Sequence, residues 1–453
     1  MAGSKRVRWA IARTTLEIVV AEDEGCELVK DSRESRVFRD RKVVAMLRSA
    51  RVLIVLLLFA GVFAGSCSEE RAARIGAVLP LSGEWAIYGE PIRKGIELAH
   101  EELLAEYENG EFPHRVELWV EDDESQPAKA VEAFQRLIFE RNILGVIGGV
   151  TSAEALAMID VADQEQRVLL SPSASSPDIT EQKATRYFYR IYPSDFREGT
   201  QLASWTALNI DLKNVVVVSV NTPFARGISR VFTNEFERYD GEILGELVYS
   251  DGQQDFSEEV RQVMEVSPQA VYIADFAEPV KRFLEALDRG GFKGKVLTTS
   301  AFATPDIIAE AGELAEGVIL AQTVFNPDSE EPHIQEFVEA YRAKYDETPG
   351  LFAAHGYDAM QVMAQASLEE SGVPSELWKG VRSLGDYQGV TGAITFNQQG
   401  DVGKFPRVYV VQGGKLVDYD EVLEQRRREI QERKQQLFQR LERIRRQQQQ
   451  GGG

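Results

Sequence analysis

The chain has 453 residues, 43% of them hydrophobic, and carries a formal net charge of −21. A protein that grips nucleic acid needs a basic face, so that charge argues against a nucleic-acid partner. The apolar fraction is ordinary for a globular protein, and the length suggests two domains.

In chain order, Arg48 and Arg51 come first, then an almost unbroken apolar run from Val52 to Phe63. That run is about a dozen residues, whereas a membrane-spanning helix needs roughly 20, so it reads as a signal-peptide core. Ala64-Gly65-Ser66-Cys67 closes it and resembles a bacterial lipobox, although Ala64 stands where Leu is usual. The resemblance implies that residues 46–66 are a leader and that Cys67 is lipidated. Ordinary cleavage near Ser66, leaving a free thiol, is the other reading. Residues 1–45 precede Met46 and are charged and mixed, as expected for an upstream extension that is not translated; a real cytoplasmic extension is the alternative. Without Cys26, and with lipid on Cys67, the mature chain has neither thiol nor disulfide.

From Arg74 onward, short β-branched runs alternate with amphipathic segments. The expected strands are Ile75–Leu81, Val116–Glu121, Ile143–Gly148, Val168–Ser171, Val215–Val220, Ile243–Tyr249, Val271–Ala274, Lys295–Thr299 and Val318–Gln322. Continuous runs such as Val215-Val216-Val217-Val218 suit parallel strands covered on both faces. The βαβα rhythm occurs twice, divided near Tyr192-Pro193-Ser194-Asp195, and predicts two doubly wound α/β lobes with a cleft between them. Ligands of such sheets bind beyond the carboxyl ends of the strands.

Three loops at those ends are candidate binding elements. Leu79–Gly89 carries Trp85 and Tyr88, either walls of an apolar pocket or staples onto the core. Gly148-Gly149-Val150-Thr151-Ser152 opens a helix, and its free N–H groups suit an anion or carboxylate, although a plain helix cap uses the same residue types. Ser171–Pro177 adds small hydroxyls or is a simple Ser/Pro turn.

The ordered set Ile75-Gly76, Pro80-Leu81-Ser82-Gly83, Tyr88-Gly89, Asp122-Asp123, Ile147-Gly148-Gly149 with Ser152, Ser171–Ser175, Tyr189-Arg190 and Tyr357-Asp358-Ala359 resembles the periplasmic branched-chain amino acid binding proteins, the type I solute receptors of ABC importers. The resemblance covers about Arg74 to Asp420. It implies two α/β lobes joined by three hinge crossovers, near Tyr192–Ser194, Gln322–Phe325 and Ile394–Asn397. The lobes would be residues 74–193 with 324–395 and residues 194–323 with 396–420. It also implies a ligand carboxylate on Ser152, help from Ser173 and Ser175, and rings at Tyr88 and Phe224; Trp85, from the first loop, is expected to wall the pocket beside them. The acid that holds an amino-acid ammonium falls here on Ser300 or Ala301; Asp275 is the substitute, with a helix cap as its other role, and Glu278 is a second candidate.

The expected activity is therefore capture of a small polar solute (amino acid, amide or carboxylate) outside the cytoplasm and delivery to an ABC permease. The alternative is a ligand-sensing lipoprotein that regulates a partner without transport. No Gly-x-Ser-x-Gly, Gly-x-Gly-x-x-Gly or His-Glu-x-x-His occurs, and His100, His114, His333 and His355 are scattered, so no enzyme, cofactor or metal is expected. Residues 421–453 form a charged tail. Leu423, Ile430, Leu437, Leu441 and Ile444 give it a thin apolar seam, read as a helix lying against the body or as a short coiled coil.

Overall fold

The computed structural model describes residues 72–183, 185–368, 373–385 and 387–450. The upstream segment, the leader and Cys67 lie outside them. No helix among the described residues is long and apolar enough to cross a membrane.

Five parallel strands make the first sheet: β1 (Ala73–Leu79), β2 (Val116–Asp122), β3 (Gly145–Gly148), β4 (Val168–Ser171) and β5 (Phe188–Arg190), in the order β2-β1-β3-β4-β5. Helices α1 (Ala86–Glu108), α2 (Pro127–Arg141), α3 (Ser152–Gln164) and α4 (Asp178–Gln182) connect them. The first strand stops at Leu79 rather than Leu81, because Pro80 has no N–H to offer a neighbour.

The chain enters the second sheet through α5 (Asp195–Asn209). There β6 (Asn214–Val220), β7 (Glu242–Tyr249), β8 (Ala270–Ala274), β9 (Lys295–Thr298) and β10 (Ile319–Gln322) are parallel in the order β7-β6-β8-β9-β10, the same winding as the first. Between them run α6 (Pro223–Arg238), α7 (Ser257–Val266), α8 (Ala277–Gly290) and α9 (Pro305–Ala311). Every residue of Val215–Val220 is buried, as expected for a parallel strand paired on both edges and covered on both faces.

After β10 the chain returns to the first lobe as α10 (Pro332–Tyr345) and α11 (Leu351–Ala366). Helix α11 crosses α1 at two glycines. A Cβ on Gly95 would lie 2.0 Å from the Ala353 carbonyl oxygen, and one on Gly356 would lie 2.3 Å from that of Ile92. Helix α12 (Leu377–Ser383) and the hairpin β11 (Tyr387–Gly389) and β12 (Gly392–Ile394) follow. The chain then crosses back and adds β13 (Arg407–Gln412) and β14 (Lys415–Asp418) antiparallel at the edge of the second sheet.

Two crossings are tied together by Arg190, a fully buried side chain. Its Nε meets Asp401 Oδ1 at 2.6 Å, and the guanidinium also donates to the carbonyl of Ser176 (2.9 Å) and to Thr180 Oγ1 (3.2 Å). The backbone N–H of Arg190 donates to the Gly400 carbonyl at 3.0 Å.

The last helix, α13 (Tyr419–Gln450), is seated on the second lobe only at its start. Tyr419 stacks on Trp205 with ring centroids 4.8 Å apart, and the Trp205 indole donates to Asp420 at 2.8 Å. Val422 is buried and Leu423 half-buried, but every residue from Glu424 to Leu441 is exposed. This corrects the expectation of a helix lying against the body. With Arg427 and Lys434 inside the seam, docking it would dehydrate cations for little apolar gain.

Candidate functional site

The strand tips of both lobes converge on a cleft with about 430 Å³ of open space, its solvent mouth included. Hydroxyl side chains of Thr151, Ser152, Ser173, Ser175 and Ser300 form part of the lining. Gly149 turns at φ 68°, where a Cβ would meet the Cα of Ala155 at 2.8 Å, so the backbone bends sharply into α3. Thr151 caps that helix: its hydroxyl accepts the Glu154 N–H at 3.3 Å, and Glu154 accepts the Thr151 N–H at 2.9 Å. Ser152 then heads the helix, where first-turn N–H groups have no intrahelical acceptor. Its Oγ accepts the Ser176 N–H at 3.1 Å, which leaves its own hydrogen to donate into the cleft.

Ser173 and Ser175 also line the cleft, but their hydrogens are committed. Ser173 donates to the Val150 carbonyl at 2.7 Å and Ser175 to Asp195 Oδ2 at 2.9 Å. Both still offer lone pairs to a ligand donor.

Aromatic rings complete the lining: Tyr88, Tyr192, Phe224, Phe276 and Phe352. Tyr88 also joins the lobes. Its hydroxyl accepts the Ala277 N–H at 2.8 Å and donates to the Ala301 carbonyl at 3.2 Å. Its ring packs on Phe352 and Phe276, at centroid distances of 5.0 and 5.8 Å.

The structure thus gathers Tyr88, Ser152, Ser173, Ser175 and Phe224 at one place, while Trp85 and Asp275 stand apart from the lining. Trp85 backs the wall, its ring 4.2 Å from that of Phe276. Asp275 is a correction to the expected ammonium acceptor. It is buried, takes the Tyr249 hydroxyl, and accepts the Phe276 N–H at 2.7 Å. Successive side chains at a strand end point opposite ways, so Asp275 turns inward and Phe276 faces the cleft. Sequence reasoning missed Phe276, although an aromatic directly after a strand was a usable signal. It also missed Tyr192 and Phe352 as wall residues; Phe352 comes from the returning helix α11, and nothing local to it marks the cleft.

Ser300 and Ala301 line the cleft where an acid was expected. Behind Ser300 lies Glu198, which accepts the Ser300 N–H at 2.8 Å and its hydroxyl at 2.7 Å. Glu198 and Asp195 are buried on the first turn of α5, and neither lines the cleft. Burial holds both above the ordinary carboxylate range, and for Asp195 the nearby Glu198 charge adds to it. Among the described residues, no charged side chain lines the cleft.

Other buried acids behave alike. Burial pushes Asp275 up to about 7 and also raises Asp123 and Glu154. A carboxyl whose folded pKa is raised keeps a proton that the unfolded chain releases, so stability falls as pH rises through the folded value. His355, fully buried and held neutral by burial, opposes this once the solution is acidic enough to charge it in the unfolded chain. The thermal midpoint is therefore expected to climb as pH is lowered from about 8 to about 6.5. Glu198→Gln should flatten part of that slope in a differential scanning series; an unchanged slope would show that Glu198 ionises freely.

Residues 72–415 match the family model for periplasmic binding protein, and the chain belongs to that family. Its members are solute-binding proteins and not enzymes. Among relatives, a Leu/Ile/Val-binding protein homolog 1 from Brucella abortus is 25% identical over 358 residues, spanning 76% of this chain and 92% of the relative. A leucine binding protein from Thermotoga maritima superposes with a TM-score of 0.70 at 27% identity, covering 76% of this chain and 97% of that one. An ABC transporter substrate-binding protein from Desulfitobacterium hafniense, in complex with Leu, gives 0.66 at 25% identity over 77% of this chain and 100% of that one.

Proposed function

We propose that this protein is an extracytoplasmic receptor, anchored through lipid on Cys67, that captures a small solute by lobe closure and delivers it to an ABC permease. The lobes are residues 74–193 with 324–395 and residues 194–323 with 396–420. The ligand is a carboxylate or amide with an apolar body, and not an α-amino acid. The observation that carries this class is the composition of the lining: the hydroxyls of Thr151, Ser152, Ser173, Ser175 and Ser300, five aromatic rings, and no charged side chain among the described residues. A primary ammonium enclosed there would lack the charged acceptor that offsets its dehydration. A carboxylate or amide oxygen finds the Ser152 hydroxyl and the start of α3. Ligand contacts to both lobes then bias the hinge equilibrium toward the shut form.

A thermal-shift panel of leucine, leucinamide, 4-methylpentanoate and 4-methylpentanamide tests the class. Ligand at a hundredfold excess over Kd stabilises by about 2.7 kcal/mol. The amine-free acid or amide is expected to give the larger shift. A larger shift with leucine would reject the ligand class while leaving the receptor role standing. Ser152→Ala should weaken the best ligand by about 1–3 kcal/mol in a calorimetric titration, and equal affinity would remove Ser152 from the site.

A further inference from the structure

The exposed part of α13 has a sidedness that the solute-binding cleft does not explain. Ile430 and Leu437 are seven residues apart and Leu441 follows four residues later, so these three fall on one side of the helix, in line with the half-buried Leu423 seven residues before Ile430. Ile430, Leu437, Phe438 and Leu441 are each more than half exposed. Arg426, Arg433 and Arg440 recur with the same seven-residue period and border that stripe, while Arg427 and Lys434 fall within it. Between Arg433 and Arg446 there are six Lys or Arg against one Glu, in a chain whose net charge is −21.

We propose that this helix docks in the plane of a bilayer that carries anionic headgroups, independently of any lipid on Cys67. A narrow apolar stripe edged by long cationic side chains suits shallow burial, with the aliphatic stems in the acyl boundary and the charged ends at the phosphates. A second copy fits poorly, because pairing on this stripe would set Arg427 and Lys434 against their counterparts. The acidic body does not capture the helix either, since every residue from Glu424 to Leu441 is exposed. At a rise of 1.5 Å per residue, the segment from Glu424 to Gln450 reaches roughly 40 Å along a surface.

The test uses the unit Glu69–Gly453, which is compact by itself and leaves out the apolar segment Val52–Phe63. It is mixed with phosphatidylcholine vesicles, with or without about a third phosphatidylglycerol, and sedimented. The unit should co-sediment only with the anionic vesicles and be released by high salt. Arg433→Glu with Arg440→Glu should lower the bound fraction at least about tenfold. A chain ending at Glu424 should not bind, yet should keep the parent thermal midpoint, because the contacts of α13 with the body end at Leu423. Equal binding to neutral vesicles, no binding, or binding retained by the shortened chain would overturn the proposal. So would a dimer in sedimentation equilibrium that Leu437→Glu with Leu441→Glu dissociates, which would give the stripe to a second copy.

Discussion

Arg190→Met is expected to lower the free energy of unfolding by about 3–5 kcal/mol, among the largest effects available to a single change in this protein. The guanidinium is wholly buried and holds the Asp401 carboxylate, itself only 17% exposed, at 2.6 Å. Removing the cation leaves a largely buried carboxylate with only a long contact from the Thr180 hydroxyl (3.4 Å), and deprives the Ser176 carbonyl and Thr180 hydroxyl of a donor. Methionine fills the stem volume, so the loss isolates the polar head rather than a cavity. Urea denaturation of the Glu69–Gly453 unit gives the number. Asp401→Asn should cost less, because an amide oxygen still accepts from Nε. A loss below about 1 kcal/mol for Arg190→Met would show that water replaces the guanidinium readily and that these crossings do not depend on it.

Gly95→Ala is expected to destabilise by about 2 kcal/mol or more and to weaken ligand binding together with stability. Alanine favours a helix over glycine by about 1 kcal/mol, so at an open position the change would stabilise. Here the added methyl lies 2.0 Å from the Ala353 oxygen and 2.8 Å from the Tyr357 nitrogen, both backbone atoms that cannot turn aside. Overpacking of this kind typically costs about 1–3 kcal/mol and more where the backbone must move. Relief requires α1 and α11 to separate. Those helices carry Tyr88 and Phe352, whose rings sit 5.0 Å apart in the cleft wall. Denaturation and a ligand titration on the same variant check both effects. A gain in stability would mean that the crossing is looser than its geometry indicates.

The sequence discloses the winding of the sheets through its apolar runs, and all nine expected strands are present within a residue or two at their ends. It discloses less where strands are short or at an edge. Phe188-Tyr189-Arg190 is three residues long and has no period to detect. The hairpin β13–β14 turns at Gly413-Gly414, both with positive φ, and that glycine pair is a recognisable turn between alternating segments which went unread. The hydroxyl residues of the cleft were legible because strand tips in this architecture face a ligand. The choice between Asp275 and Phe276 was not, because neighbours at a strand end differ only in parity, and a boundary uncertain by one residue reverses them. Ser300 is the opposite case: the position was marked, and the carboxylate nearest to it comes from Glu198, about a hundred residues earlier in the chain.

The phenol of Tyr88 satisfies both its donor and its acceptor roles on the opposite lobe, through Ala301 and Ala277. If the lobes open and shut as proposed, these two bonds favour the shut form without solute, and solute supplies only the remainder of the preference. A fraction of the vacant population then resembles loaded molecules to whatever inspects the shut shape. A permease docking on that shape would be occupied at times by receptors with no cargo, and the strength of one tyrosine's grip would set the idle traffic through the importer.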